Sequence, residues 1–147
     1  NIQVESLKGL CNLTTANGDI NTDYLRGTLV LDATNGNIIG ENIFGPIQAY
    51  TSSGDIDFKI SYDSGSSDYS ISLETVSGNI DVSVPKNLPV TIEAEVEGGK
   101  TAGVISSDIP IALEDTESKI FAKGQVNEGT IPLNLFTGRG HITIREN

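Results

Sequence analysis

One turn recurs along this chain at a nearly fixed interval. It reads Thr15-Ala16-Asn17-Gly18-Asp19-Ile20, then Ala33-Thr34-Asn35-Gly36-Asn37-Ile38, Thr51-Ser52-Ser53-Gly54-Asp55-Ile56 and Thr75-Val76-Ser77-Gly78-Asn79-Ile80. A weaker last copy is Thr137-Gly138-Arg139-Gly140-His141-Ile142. The glycines at 18, 36 and 54 are eighteen residues apart, the next follows after 24 and the last after 62. A repeat of this length is one structural unit that buries its apolar side only by stacking on its neighbours, which makes the chain a solenoid.

The frame extends beyond the turn. Seven residues before each glycine stand Cys11, Leu29, Ile47, Ile71 and Leu133; five before stand Leu13, Leu31, Ala49, Leu73 and Leu135. Two after it stand Ile20, Ile38, Ile56, Ile80 and Ile142. Alternation with period two on both sides of a turn predicts strand, tight corner, strand in every repeat. Gly9, Gly27 and Gly45 mark a second corner at the same step. Rungs of this kind lie about 4.8 Å apart, so like side chains form columns. The predicted architecture is an all-β, parallel β-solenoid of roughly seven rungs, one domain over 1–147, with about 18 residues per rung and an irregular C-terminal third.

In chain order, Ile2-Gln3-Val4 falls eighteen residues before Ile20-Asn21-Thr22. It reads as the second half of a truncated rung, and the natural protein is expected to continue upstream. The fourth repeat carries six extra residues within 61–70, a Gly/Ser/Asp-rich stretch expected to bulge from one face as a loop, where such folds bind ligands. Tyr62 and Tyr69 with Asp63 and Asp68 make a candidate sugar-stacking patch there, weighed against a plain solvated loop. The step Pro85-Lys86-Asn87-Leu88-Pro89 starts a new element. Residues 98–130 are the least regular and are expected to form longer loops and wider rungs. The frame returns over 131–144, which is expected to close the stack, with Arg145-Glu146-Asn147 as its charged cap.

Charge narrows the partners. Nine Lys and Arg stand against twenty Asp and Glu, a formal net charge of -11. No basic cluster is available to bind phosphates, so nucleic acid and an anionic membrane surface are poor partners. No apolar run approaches the roughly 20 residues of a membrane-spanning helix, so a membrane is reached only through a segment this chain lacks.

Chemistry finds few footholds. The single Cys11 shares a column with Leu29 and Ile47 and reads as a small buried apolar group rather than a nucleophile. His141, the only histidine, takes the corner position of Asp19, Asn37, Asp55 and Asn79. One Cys and one His make a zinc site or a nucleophilic triad a poor expectation. The corner motif resembles calcium-binding nonapeptide rolls, but the spacing is eighteen and the doubled glycines are missing; polar ladders at the corners explain it better. Glu93, Glu95 and Glu97 alternate with Ile92, Ala94 and Val96, as charges on the wet face of a strand do. A carbohydrate-cleaving enzyme would need two carboxylates flanking the bond, about 5–5.5 or 6.5–9.5 Å apart. Asp55 and Asp57, with Glu41 or Asp19 on neighbouring rungs, are the pairs to test. No cofactor or metal is expected.

The Asn-Gly-Asp-Ile and Ser-Gly-Asp-Ile turns, the corners Leu7 to Gly9 and Leu25 to Gly27, the Val-Pro-Lys-Asn-Leu-Pro step at 84–89 and the closing Thr-Gly-Arg-Gly-His-Ile together resemble the bacterial putative-adhesin family, also called toast-rack domains. The resemblance spans nearly the whole chain. It implies a single-stranded right-handed parallel β-helix, exported or envelope-associated, without an established enzymatic activity. The family has no functional motif to transfer. The expected function is a non-catalytic extracytoplasmic module (periplasmic, cell-surface or secreted) for adhesion or cell-envelope interaction, with a glycan or a cell-surface protein as partner. The alternatives are a polysaccharide lyase or hydrolase and an envelope-stress sensor.

Overall fold

A computed structural model describes residues 1–63 and 69–147. In it the repeat becomes two sheets. β1 (Ile2–Lys8), β3 (Ile20–Arg26), β5 (Ile38–Phe44), β7 (Ile56–Ile60) and β9 (Ile80–Val84) belong to one sheet. β2 (Cys11–Asn17), β4 (Leu29–Asn35), β6 (Ile47–Ser53), β8 (Ile71–Ser77) and β10 (Val90–Glu97) belong to the other. The chain thus alternates between sheets at each corner, and neighbours eighteen residues apart pair in parallel, Ile20 with Ile38 and Leu29 with Ile47. Equal-period stacking puts apolar residues in continuous internal columns. Ile20, Ile38, Ile56, Ile80 and Ile142 are each at most 1% exposed.

Glycine is required at the corners because the rungs touch there. A Cβ on Gly36, Gly54 or Gly78 would land on the carbonyl oxygen of the glycine one rung below, and all three hold positive φ. Below the corners, buried Thr51, Thr75 and Thr137 donate their Oγ1 hydroxyls to the carbonyls of Gly36, Gly54 and Gly78 at 3.0, 3.0 and 2.8 Å. Above them, each corner side chain accepts the backbone N–H of the next. Asp19 Oδ1 accepts from Asn37 and Asn37 Oδ1 from Asp55, both at 2.9 Å; Asp55 Oδ1 accepts from Asn79 at 2.8 Å. The polar-ladder reading of these columns is borne out, and Asn35 Nδ2 likewise donates to Asn17 Oδ1 at 3.1 Å.

The C-terminal third departs from expectation in two ways. First, the last repeat does not close the stack. β14 (Ile131–Arg139) pairs in parallel with β8 on one side and β10 on the other. β15 (Ile142–Glu146) likewise lies between β9 and β11 (Ile105–Ser107). The step at 85–89, with Leu88 fully buried, carries the chain past one vacant level, and residues 131–146 return to fill it. Arg145 is therefore no cap: it bonds Asp81 of β9 at 2.9 Å. Second, the irregular stretch is not a set of wider parallel rungs. β13 (Lys119–Gln125) runs antiparallel to β10, and β12 (Ile111–Asp115) antiparallel to β13, so this hairpin ends its sheet. One sheet is wholly parallel and the other mixed. A 3-10 turn at Gly99–Thr101 is the helical element among the described residues.

Candidate functional site

After an acidic residue in each of the first three rungs, Ser6, Tyr24 and Asn42 hold φ of 55°, 55° and 53°, a left-handed kink that bends the strand. Beyond the kink, Lys8, Arg26 and Phe44 fall in one column by register. The Arg26 guanidinium sits 4.2 Å from the Phe44 ring centroid, and Tyr24 meets the same ring edge-on at 6.1 Å. Arg26 Nη1 reaches Asp63 Oδ2 at 3.3 Å, which ties the start of the fourth-repeat insertion to this corner. The hydrogen bonds to Asp63 and then to Tyr24 hold the guanidinium more firmly protonated than usual.

Three of the four residues predicted from sequence meet here. The Tyr62 and Tyr69 rings are 5.4 Å apart and T-shaped, and Tyr69 Oη accepts the Asp63 N–H at 3.3 Å. Tyr69 is 3% exposed and belongs to the core, whereas Tyr62 is half-buried and Asp63 exposed. Asp68 lies outside the described residues. Sequence reasoning missed Tyr24, Arg26 and Phe44, although stacking the sequence at eighteen puts Arg26 and Phe44 in one column. With Tyr24 50% exposed, the corner offers an aromatic face bordered by one guanidinium and one carboxylate. Such a surface stacks on apolar faces and hydrogen-bonds hydroxyls.

The carboxylates weighed for glycan cleavage have different surroundings. Asp19 and Asp55 are engaged in the corner ladder. Asp57 lies on the outer face of β7, in register with Asp81 of β9. Desolvation first, and then the charge of Asp81, push its carboxyl above the usual range. Glu41 is paired with Lys59 at 2.9 Å. Glu95 and Glu93 are paired with Lys119 and Lys123 at 2.9 and 3.8 Å. A shallow recess of about 210 Å³ on the same outer face is lined by Gln3, Glu5, Asn21, Asp23, Ile39 and Glu41. Cys11 is 5% exposed and burial raises its thiol pKa, so it is a poor nucleophile. His141 is exposed at its corner, as expected, with Nδ1 accepting the Val104 N–H at 3.1 Å. Among the described residues no group of three or more His, Cys, Asp or Glu is placed to hold a metal ion, and no helix is long and apolar enough to cross a membrane.

Comparison with known proteins gives the architecture a context. No curated protein matches the chain. Among solved structures it is similar to a "putative cell adhesion protein" from Clostridium sporogenes ATCC 15579, at 17% identity and a TM-score of 0.53. The match covers 88% of this chain and 56% of that one, so the chain spans about half of that structure's length. At this identity the likeness is one of fold. The family model described as Toastrack DUF4097 matches residues 1–145, which is nearly all of the repeat frame described above. The chain belongs to the Toastrack DUF4097 family.

Proposed function

We propose that this protein is a non-catalytic adhesion module, wound as a single right-handed β-helix and working outside the cytoplasm, that contacts a glycan through its aromatic corner. The carrying observation is the cluster of Tyr24, Arg26, Phe44, Tyr62 and Asp63, in which half-exposed rings stand beside a guanidinium–carboxylate pair. Sugar rings present apolar faces to aromatics and hydroxyls to charged groups, so this pairing suits a saccharide better than an apolar peptide. Family membership and the fold shared with the "putative cell adhesion protein" support the reading. The acidic balance of the chain argues for an uncharged or cationic ligand over nucleic acid.

The test is retention of the protein on immobilised cell-envelope and host polysaccharides, with the supernatant assayed for new reducing or unsaturated ends. Retention that falls in Tyr24→Ala and Tyr62→Ala, with no new ends, is the expected result. New ends that disappear in Asp57→Asn would replace the adhesion reading with an enzymatic one. Retention unchanged in both tyrosine variants would move the contact elsewhere on the surface.

A further inference from the structure

Basic side chains in this protein are nearly all paired. Seven of the nine lysines and arginines have a carboxylate within 4.0 Å. Lys8 and Arg139 are the exceptions among the described residues. One carboxylate of β10 is left over in the same way. Glu93 and Glu95 are held by Lys123 and Lys119. Glu97 stands opposite Lys119 in register, but Lys119 turns to Glu95 and Glu97 has no cation among the described residues.

Arg139 and Glu97 line one recess of about 360 Å³, with Val76, Ser77, Gly98 and Gly138 as its other walls. The register explains why a recess forms there. Thr75 of β8 pairs with Thr137 of β14, and Thr137 with Val96 of β10, so Val76, Gly138 and Glu97 follow one another across three neighbouring strands. Gly138 leaves a gap one side chain wide between Val76 and Glu97. Close stacking enforces the gap, because a Cβ at Gly138 would sit 2.6 Å from the Val76 carbonyl oxygen. Val76 is 48% exposed and supplies an apolar wall. Arg139, the next residue of β14, is exposed at the rim. Two opposite charges thus border the same recess without pairing to each other.

We infer that this recess binds a small zwitterion, an α-amino acid with a small apolar side chain. The planar guanidinium of Arg139 takes the carboxylate, which it can grip through two parallel N–H donors. Glu97 accepts from the ammonium group, and Val76 packs against the apolar side chain. A simple anion is opposed by the net charge of -11. A simple cation finds carboxylates over the whole surface and is repelled by Arg139 here. A zwitterion carries no net charge and engages both unpaired groups at once. The recess lies beside the Gly78 and Gly140 corner, whereas Tyr24 and Arg26 precede the Gly27 corner, so this site is separate from the aromatic one.

The experiment is a titration of the 147-residue chain with alanine and with valine, followed through its backbone amide resonances. The expected result is a saturable shift centred on Val76, Gly98, Gly138 and Arg139. N-acetylalanine lacks the ammonium and alaninamide the carboxylate, and each is expected to bind about tenfold more weakly or worse. Arg139→Gln and Glu97→Gln are expected to cause the same loss with alanine itself. Lys8→Gln, which removes the other unpaired cation, leaves binding intact. No saturable shift with either amino acid, a shift centred elsewhere, N-acetylalanine or alaninamide binding as tightly as alanine, or full binding in either recess variant would each overturn the proposal. Arg139 and Glu97 are exposed, and unchanged far-ultraviolet circular dichroism separates loss of binding from loss of fold.

Discussion

Asn79 Oδ1 accepts the backbone N–H of His141 at 2.8 Å across 62 residues of sequence. His141 Nδ1 in turn accepts the N–H of Val104, so the corner ladder runs upward through a residue that comes later in the chain and then back to an earlier one. The same order holds in the glycine column. A Cβ on Gly140 would strike the Gly78 carbonyl, and one on Gly103 would strike that of Gly140. The last repeat is locked between older rungs, and its removal would leave a vacancy inside the stack.

Breaking this link has a measurable cost. Asn79→Ala leaves the His141 N–H at an exposed corner without its acceptor and is expected to lower stability by about 1 kcal/mol. His141→Asn, which restores the side chain of neighbouring corners, is expected to be neutral or mildly stabilising. Chemical denaturation of both variants checks the pair.

The corner glycines are not equivalent. At Gly54 a methyl group meets the Gly36 carbonyl, and φ is +153°; at Gly9, where φ is +120°, nothing lies within 4 Å. Gly9→Ala is expected to cost only its backbone strain, roughly 1–3 kcal/mol. Gly54→Ala is expected to add roughly 1–3 kcal/mol more for displacing the rung below. Paired thermal melts that ranked them the other way would refute the close-stacking explanation.

Thr137 is fully buried, and its hydroxyl bonds the Gly78 carbonyl at 2.8 Å. Thr137→Val keeps the shape and removes the donor, with an expected loss of about 1 kcal/mol. Thr137→Ser keeps the donor and is expected to recover part of it. Denaturant midpoints of the two variants decide the matter.

Asp57 predicts a pH dependence. Burial first, and then the charge of Asp81, raise its folded carboxyl above the ordinary aspartate value, so folding disfavours the ionised form. That penalty is fully present above the folded pKa and vanishes below the unfolded one. Asp57→Asn is therefore expected to raise the melting temperature at neutral pH and to lose its advantage as acid is added through the carboxylate range. A pH-independent difference would assign the effect to packing instead.

The Arg26–Asp63 pair tests the aromatic corner without disturbing the fold. Both side chains are more than 40% exposed, so Arg26→Ala is expected to leave stability nearly unchanged. Its effect belongs in glycan retention, read on the same polysaccharide panel. A large stability loss with unchanged retention would make Arg26 structural.

The repeat was legible because its cause is local. Period-two alternation around Gly18, Gly36, Gly54 and Gly78 is what a strand–corner–strand rung requires, and each of these turns formed. The column partners of Cys11 and His141 likewise indicated a buried thiol and an exposed corner imidazole. The site was legible only in part. Tyr62, Asp63 and Tyr69 mark the insertion, but whether a tyrosine faces the core or solvent depends on a neighbouring rung, and Tyr69 turned inward. Arg26 and Phe44 come from repeats that looked regular, and only stacking brings them beside Asp63.

Composition and periodicity in this chain specify rungs, corners and columns, because those depend on residues within one repeat and its equivalent eighteen positions away. They do not specify the level each rung occupies. Ile80, Ile142 and Ile105 present the same apolar surface to a neighbour, so no single column favours one order over another. The three-dimensional structure chose that order by covering more than one column at once. The step at 85–89 skipped a level, β14 and β15 filled it, and the antiparallel hairpin at 111–125 closed the sheet that parallel rungs would have left open.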